Sequence, residues 1–244
     1  MTEADADQAL QRLAELYDHL ESDRSDLDAY AAMVDEFGAR AVVDLGCGTG
    51  TFACMLARRG IAVTAVDPDG PSLKIARGKP DADRVRWIHG VATDLPPAIA
   101  DLVVMTANVA QEIVTDEDWE TALRGAFTAL RPGGRLVFET RDPADRAWET
   151  WTKDQSYDRF VIPGVGGLER WYHLDDFADG VATFSGTYVF EADGLRLSPT
   201  SSLRFRTEAE VTASLKTCGF VLDEVRDAPD RPGRELIFVA HAPG

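Results

Sequence analysis

The chain has 244 residues, of which 45% are apolar and 27% charged, the balance of a folded globular protein rather than a disordered one. That length fits one large domain, or one domain carrying an insertion. The formal net charge of −17 argues against nucleic acid, which needs a basic footprint, and against anionic membrane surfaces.

No apolar run approaches the ~20 residues that span a bilayer. The start, Met1-Thr2-Glu3-Ala4-Asp5, lacks the basic end and apolar stretch of a secretory signal, so a cytoplasmic protein is expected. Cys47, Cys54 and Cys218 form no C-x-x-C pair, and no metal site is expected.

From about residue 7 to 37 the spacing is helical: Leu10, Leu13, Leu16, Tyr17 and Leu20, then Leu27, Tyr30, Ala31, Val34 and Phe37, with Gly38 as a stop. Residues 40–45 form a short apolar run that reads as a buried strand, broken by Gly46, Gly48 and Gly50. A helix over 51–59, a strand over 61–66, a helix over 72–77 and strands over 85–88 and 101–105 follow. Thr115 with Asp118 predicts a capped helix running to 130, and Arg131-Pro132-Gly133-Gly134 stops it before a fifth strand over 135–139. Strands alternating with helices in this way predict βαβ units, a parallel sheet and helices on both faces.

After Thr140 the rhythm changes. Residues 181–190 alternate with period two, Asp193-Gly194 predicts a hairpin turn into 195–197, and 203–205 add a further short strand. A helix over 207–217 and strands over 220–225 and 235–240 close the chain, the last two as an antiparallel pair at the sheet edge.

A strand, a glycine-rich turn and a helix make a ligand site, because glycine permits positive φ and close approach while the helix start offers free N–H groups. A triphosphate loop needs Gly-Lys-Ser/Thr, and no lysine stands here. The dinucleotide fingerprint needs glycine at position 51, which is Thr51, and this opposes an NAD(P)-dependent oxidoreductase, the main rival reading.

What stands instead is Asp44-x-Gly46-x-Gly48-x-Gly50, followed by Asp67-Pro68 at the end of the second strand. Gly90-Val91-Ala92-Thr93-Asp94, Asp101 and Arg131-Pro132-Gly133-Gly134 follow in order. These signals resemble the class I S-adenosylmethionine-dependent methyltransferases over about residues 40–140 and the two closing strands.

The resemblance implies a doubly wound, seven-stranded, mostly parallel α/β sheet of Rossmann-like methyltransferase type, with a small antiparallel β insertion after strand five. It divides the chain into a helical cap (1–38), a cofactor-binding core (39–154), an insertion acting as substrate lid (155–206) and a closing segment (207–244). It implies S-adenosyl-L-methionine as cofactor and S-adenosyl-L-homocysteine as product. Asp44, Gly46, Cys47, Gly48 and Gly50 would cradle the cofactor, Asp67 would grip the ribose, and Pro68 would pack on the adenine. Ala92 and Thr93 would carry the ring, since Val91 replaces the acid that relatives use there. Asn108 would touch the cofactor from beyond strand four, and Tyr17 and Arg24 look similar to a capping segment, with Arg24 toward the methionine carboxylate.

Methyl transfer requires an acceptor aligned with the S–CH3 bond and shielded from water. Gln111, Trp148, Trp151 and Trp171 are the expected acceptor pocket, with Arg141 and His173 as candidate catalytic groups. His173 shares a strand face with Trp171 and would serve as general base. The acceptor is expected to be a small molecule methylated at oxygen or nitrogen, because the N-P-P-Y motif of base and glutamine methyltransferases is absent. A cofactor-binding protein without catalysis remains the third reading. Asp67→Ala is expected to weaken S-adenosylhomocysteine binding by at least about tenfold, the worth of one charge-assisted hydrogen bond, while the fold survives. Unchanged affinity by calorimetry would remove the ribose role.

Overall fold

The structure is a computed structural model describing residues 3–244, with side chains described from residue 11; Met1, Thr2 and the Leu10 side chain of the expected stripe lie outside the described residues. Two helices, α1 (Glu3–Leu20) and α2 (Asp26–Glu36), precede the alternation expected from the sequence. It runs β1 (Ala41–Leu45), α3 (Thr51–Arg58), β2 (Ala62–Asp67), α4 (Gly70–Ala76), β3 (Val85–His89), β4 (Ala100–Met105), α5 (Val109–Glu112), α6 (Asp116–Ala129) and β5 (Leu130–Arg141). A short helix α7 (Lys153–Ser156) leads into β6 (Asp158–Ile162), β7 (Gly166–Ala178), β8 (Val181–Phe190), β9 (Arg196–Leu197) and β10 (Thr200–Arg204). The chain closes with α8 (Glu208–Thr217), β11 (Val221–Asp227) and β12 (Glu235–His241).

The first sheet has seven strands in the order β11-β12-β5-β4-β1-β2-β3. β12 pairs antiparallel with both β5 and β11, so it alone runs against the other strands. Burial on both faces explains why β1 and β4 are apolar apart from Asp44 and Asp101. Successive residues of β5 serve opposite layers: Phe138 packs with Trp119 of α6 and Phe238 of β12, whereas Val137 joins Tyr30 and Leu27 of α2 and Phe52 of α3. The Thr115 hydroxyl accepts from the Asp118 N–H at 3.1 Å, starting α6 as the sequence predicts.

Two details differ from expectation. β5 starts at Leu130, which pairs with Ala100, and a shift in register absorbs the Pro-Gly-Gly segment instead of a loop. The short α5 was not foreseen; Ala107 and Asn108, at φ 57° and 64°, turn the chain sharply into it after β4.

The insertion forms a second antiparallel sheet, β10-β8-β7-β6, with β9 alongside β8. The predicted turn at Asp193-Gly194 is present, where the Asp193 carboxylate accepts from the Leu195 N–H at 3.0 Å and Gly194 has φ 69°. Leu16 of α1, flanked by Leu13 and Leu20, packs on Ile162, Leu168, Phe190 and Leu197 of this sheet. The amino-terminal helix and the insertion are therefore one roof. No helix among the described residues is long and apolar enough to cross a membrane.

Gly50 sits at φ 75°, and a Cβ there would lie 2.4 Å from the Trp87 ring and 2.8 Å from Ala76. Gly50→Ala is expected to destabilise the chain by roughly 2–4 kcal/mol, combining left-handed strain with overpacking. Urea unfolding with an unchanged m-value checks this; a loss below about 0.5 kcal/mol would contradict it.

Candidate functional site

β1 ends at Leu45, and three glycines at φ 76°, 50° and 75° carry the chain from Gly46 through Gly48 to Gly50, the N-cap of α3. Gly46 is required by contact as well as by φ, since a Cβ would lie 2.4 Å from the Val109 side chain. Asp67, at the end of the neighbouring strand β2, accepts from the Gly48 N–H through Oδ2 and from the Asp69 N–H through Oδ1, both at 2.7 Å. Burial pushes the Asp67 carboxyl upward against these two bonds.

Asp44 lies just before the loop and is almost wholly buried, with neither carboxylate oxygen partnered. Burial first, and then the charge of Asp67, raise its pKa to about 7. Burial likewise pushes the Cys47 thiol up, so this cysteine is a packing residue rather than a nucleophile.

Above the loop opens a cavity of about 970 Å³, near the top of the size range of small-molecule sites. Asp44, Gly46, Cys47, Gly48, Asp67, Pro68 and Ala92 all line it, as the sequence predicts; Gly50 lies just beneath as the helix cap. Tyr17 and Arg24 reach it from the amino-terminal segment, with Arg24 paired to Asp26 at 3.1 and 3.2 Å. α1 is tied to the glycine loop by Asp18, which receives the Thr49 hydroxyl at 2.7 Å and the Lys79 ammonium at 2.7 Å.

Several expected residues fall elsewhere. Thr93 is exposed and outside the cavity lining, while Val91 and Ala92 stand at it. Asn108 faces away from the first cavity: its N–H donates to Glu139 at 3.0 Å and its side-chain amide to Glu235 at 3.2 Å. Thr106, Ala107 and Val109 take its place. Gln111 is fully buried as a brace, donating to the Arg204 carbonyl at 3.3 Å and accepting from Arg141 Nη1 at 3.1 Å.

The three tryptophans are not pocket walls. Trp148 stacks on Phe177 at 4.1 Å, and Trp148 and Trp151 both pack near Phe205 in a separate apolar cluster. Trp171 lies under the Lys153 ammonium at 4.0 Å. His173, on that same strand face, is exposed and lines neither cavity. The alternation of β7 was read correctly, but the opposite face meets the cavity: Arg170 and Tyr172 line it, together with Tyr188 of β8. Arg170 pairs with Glu21, just after α1, at 2.7 Å and with Asp158 at 3.2 Å. One signal pointed there: Gly186 sits opposite Tyr172, and a Cβ on it would come within 3.2–3.3 Å of both tyrosine rings.

A second cavity of about 410 Å³ lies beside the first, lined by Asn108, Arg141, Phe184, Ser202 and Leu203. The two share Ala107, Glu112 and Ser201. Beneath it Glu139 accepts from the Tyr30 hydroxyl and the Asn108 N–H, and burial with the nearby Glu235 raises its pKa to about 7.

Residues 42–134 match a family model described as a methyltransferase domain. An uncharacterized methyltransferase of Mycobacterium tuberculosis is 39% identical over 116 residues, covering 46% of this chain and 57% of that protein. The cypemycin N-terminal methyltransferase of a Streptomyces species is 36% identical over 107 residues, covering 43% of this chain and 44% of its own length. The chain thus spans about half the length of the curated relatives it matches. Among solved structures, the sugar N-methyltransferase KedS8 from Streptoalloteichus superposes with a TM-score of 0.77 at 18% identity, over 94% of this chain and 92% of that one. At that identity the likeness concerns the fold.

The buried Asp44 generates a pH prediction. Its folded pKa lies above the unfolded value, so its contribution to stability falls as pH rises from about 4 to about 7 and is level above. Asp44→Asn is expected to raise the ligand-free Tm more at pH 8 than at pH 5. Equal shifts at the two pH values would mean an ordinary carboxyl.

Proposed function

We propose that this chain, which carries a class I S-adenosylmethionine-dependent methyltransferase domain, binds S-adenosylmethionine in the first cavity and methylates an oxygen or nitrogen atom of a small molecule. The observation that carries the reading is the Asp67–Gly48 pairing beneath the cavity, beside an Asp44 carboxylate with no partner of its own. A nitrogen acceptor is named for the sugar N-methyltransferase KedS8, and the remainder of the reading rests on the residues of this chain.

Those residues fit the cofactor's chemistry. Each Asp67 oxygen already accepts one backbone N–H, and a carboxylate has about four acceptor positions, so capacity remains for a vicinal diol. The unpartnered Asp44 carboxylate suits an ammonium group, which would also draw its pKa back down. Arg24 would hold a carboxylate in competition with Asp26. Pro68, Val91 and Ala92 offer an apolar slot for a flat ring. Bound there, S-adenosylmethionine supplies an already electrophilic methyl group, so the chain's task is alignment and exclusion of water. Tyr172, Tyr188 and Arg170 on the roof serve that exclusion. All three cysteines are free thiols, which fits a reducing, cytoplasmic setting.

Thermal unfolding tests the cofactor reading. S-adenosylhomocysteine at 100 times its Kd should stabilise the chain by roughly 2.7 kcal/mol, and NAD at the same concentration should not. A shift with NAD alone would make the chain a dinucleotide protein. An acceptor screen with methyl-labelled cofactor then separates catalysis from binding.

A further inference from the structure

We propose that Glu112 is the catalytic group that takes the acceptor's proton, from an acceptor held in the second cavity, an inference that rests on the methyl-transfer reading above. Glu112 lines both cavities, so it stands at the opening between them. Its side chain is open to that space, and no hydrogen bond engages its carboxylate among the described residues. Charged neighbours locate it further. It feels Asp67, the ribose-side acid, and Arg141 of the second cavity, while Tyr17 on the roof feels its charge in turn.

α5 holds this carboxylate in place. At one end Val109 packs against the loop at Gly46, and in the middle Gln111 is bound to Arg204 and Arg141. A base fixed on a braced helix loses little on reaching its working position. Desolvation by the cavity walls, reinforced by Asp67, pushes the Glu112 carboxyl upward, the direction that makes a carboxylate a better proton acceptor.

The other candidates do not fit. His173 lies outside both cavities. Glu139 lies outside them too, with both oxygens engaged by Tyr30 and Asn108. Asp44 and Asp67 belong to the floor of the first cavity. The second cavity, at about 410 Å³, has room for a small acceptor, with Phe184 and Leu203 as apolar wall and Arg141 and Ser202 as polar contacts. In the step, a lone pair on the acceptor's oxygen or nitrogen forms the bond to the methyl carbon. The proton on that atom passes to the Glu112 carboxylate, and the electron pair of the broken C–S bond stays on sulfur.

Two ligands test this without turnover: S-adenosylhomocysteine, and sinefungin, in which an amine-bearing carbon replaces the sulfonium and its methyl. The sinefungin ammonium stands where methyl and acceptor meet, so a proton-accepting carboxylate there pairs with it. By calorimetry, Glu112→Gln should weaken sinefungin by at least about tenfold and leave S-adenosylhomocysteine within about twofold. Homocysteine-form binding also reports that the variant is folded. In the wild type, the preference for sinefungin should fall as pH is lowered and Glu112 takes up a proton. Asp44 and Asp67 also act on the added ammonium and remain in Glu112→Gln, so the part of the pH dependence that the substitution removes is the part Glu112 supplies. An unchanged ratio in Glu112→Gln overturns the proposal while the cofactor reading stands. If the variant does not bind at all, a flat wild-type ratio across the pH series overturns it. A wild type that ignores S-adenosylhomocysteine takes both readings down.

Discussion

One hydrogen bond organises the functional half of this molecule: the Gly48 N–H held at 2.7 Å by the Asp67 carboxylate. It joins the turn after β1 to the end of β2, two strands that already run side by side from Ala41 with Ala62 to Leu45 with Val66. The turn can approach the acid because Gly46, Gly48 and Gly50 all take positive φ, and because Val109 and Trp87 occupy the space that side chains at 46 and 50 would need. Sheet register, loop conformation and the position of an acid are thereby one constraint.

The cavity over this loop is floored by acids that burial makes reluctant to ionise. Asp44, Asp67 and Glu112 are all shifted upward, with burial the first cause in each case. Such a site is unfavourable when empty of positive charge and favours a cationic ligand. The chain's overall acidity therefore has a local counterpart, and the cations on the cavity walls, Arg24, Arg141 and Arg170, each have an acid of their own close by at Asp26, Glu235 and Glu21.

The roof is assembled from distant parts of the chain. α1 reaches down to the loop through Asp18, Thr49 and Lys79, and up to the second sheet through Leu16 and, just past its end, through Glu21 with Arg170. Gln111 ties α5 to β10 by way of the Arg204 carbonyl. The second sheet is therefore tied both to the amino-terminal helix and to the helix that bears Glu112.

The sequence by itself determined the local features of this protein. The strand–helix alternation, the glycine turn, Asp67, the Thr115 cap and the antiparallel character of the insertion each depend on neighbours a few residues apart, so periodicity and turn chemistry suffice to read them. Asp44, Cys47, Pro68, Ala92, Tyr17 and Arg24 are implied by the family resemblance rather than by periodicity, and all of them line the first cavity. Tertiary structure alone decided which face of β7 looks inward. Period two places Trp171 with His173 and Arg170 with Tyr172, but only the packing of α1 on that sheet selects the second pair. Packing also turned Asn108 and Gln111 into braces, sent Trp148 and Trp151 into their own cluster, and left Thr93 outside. Glu112 is of the same kind: Asp67, Arg141 and Tyr17, which share its cavity walls, are tens of residues away along the chain, and no local pattern records a juxtaposition that only the folded sheet creates.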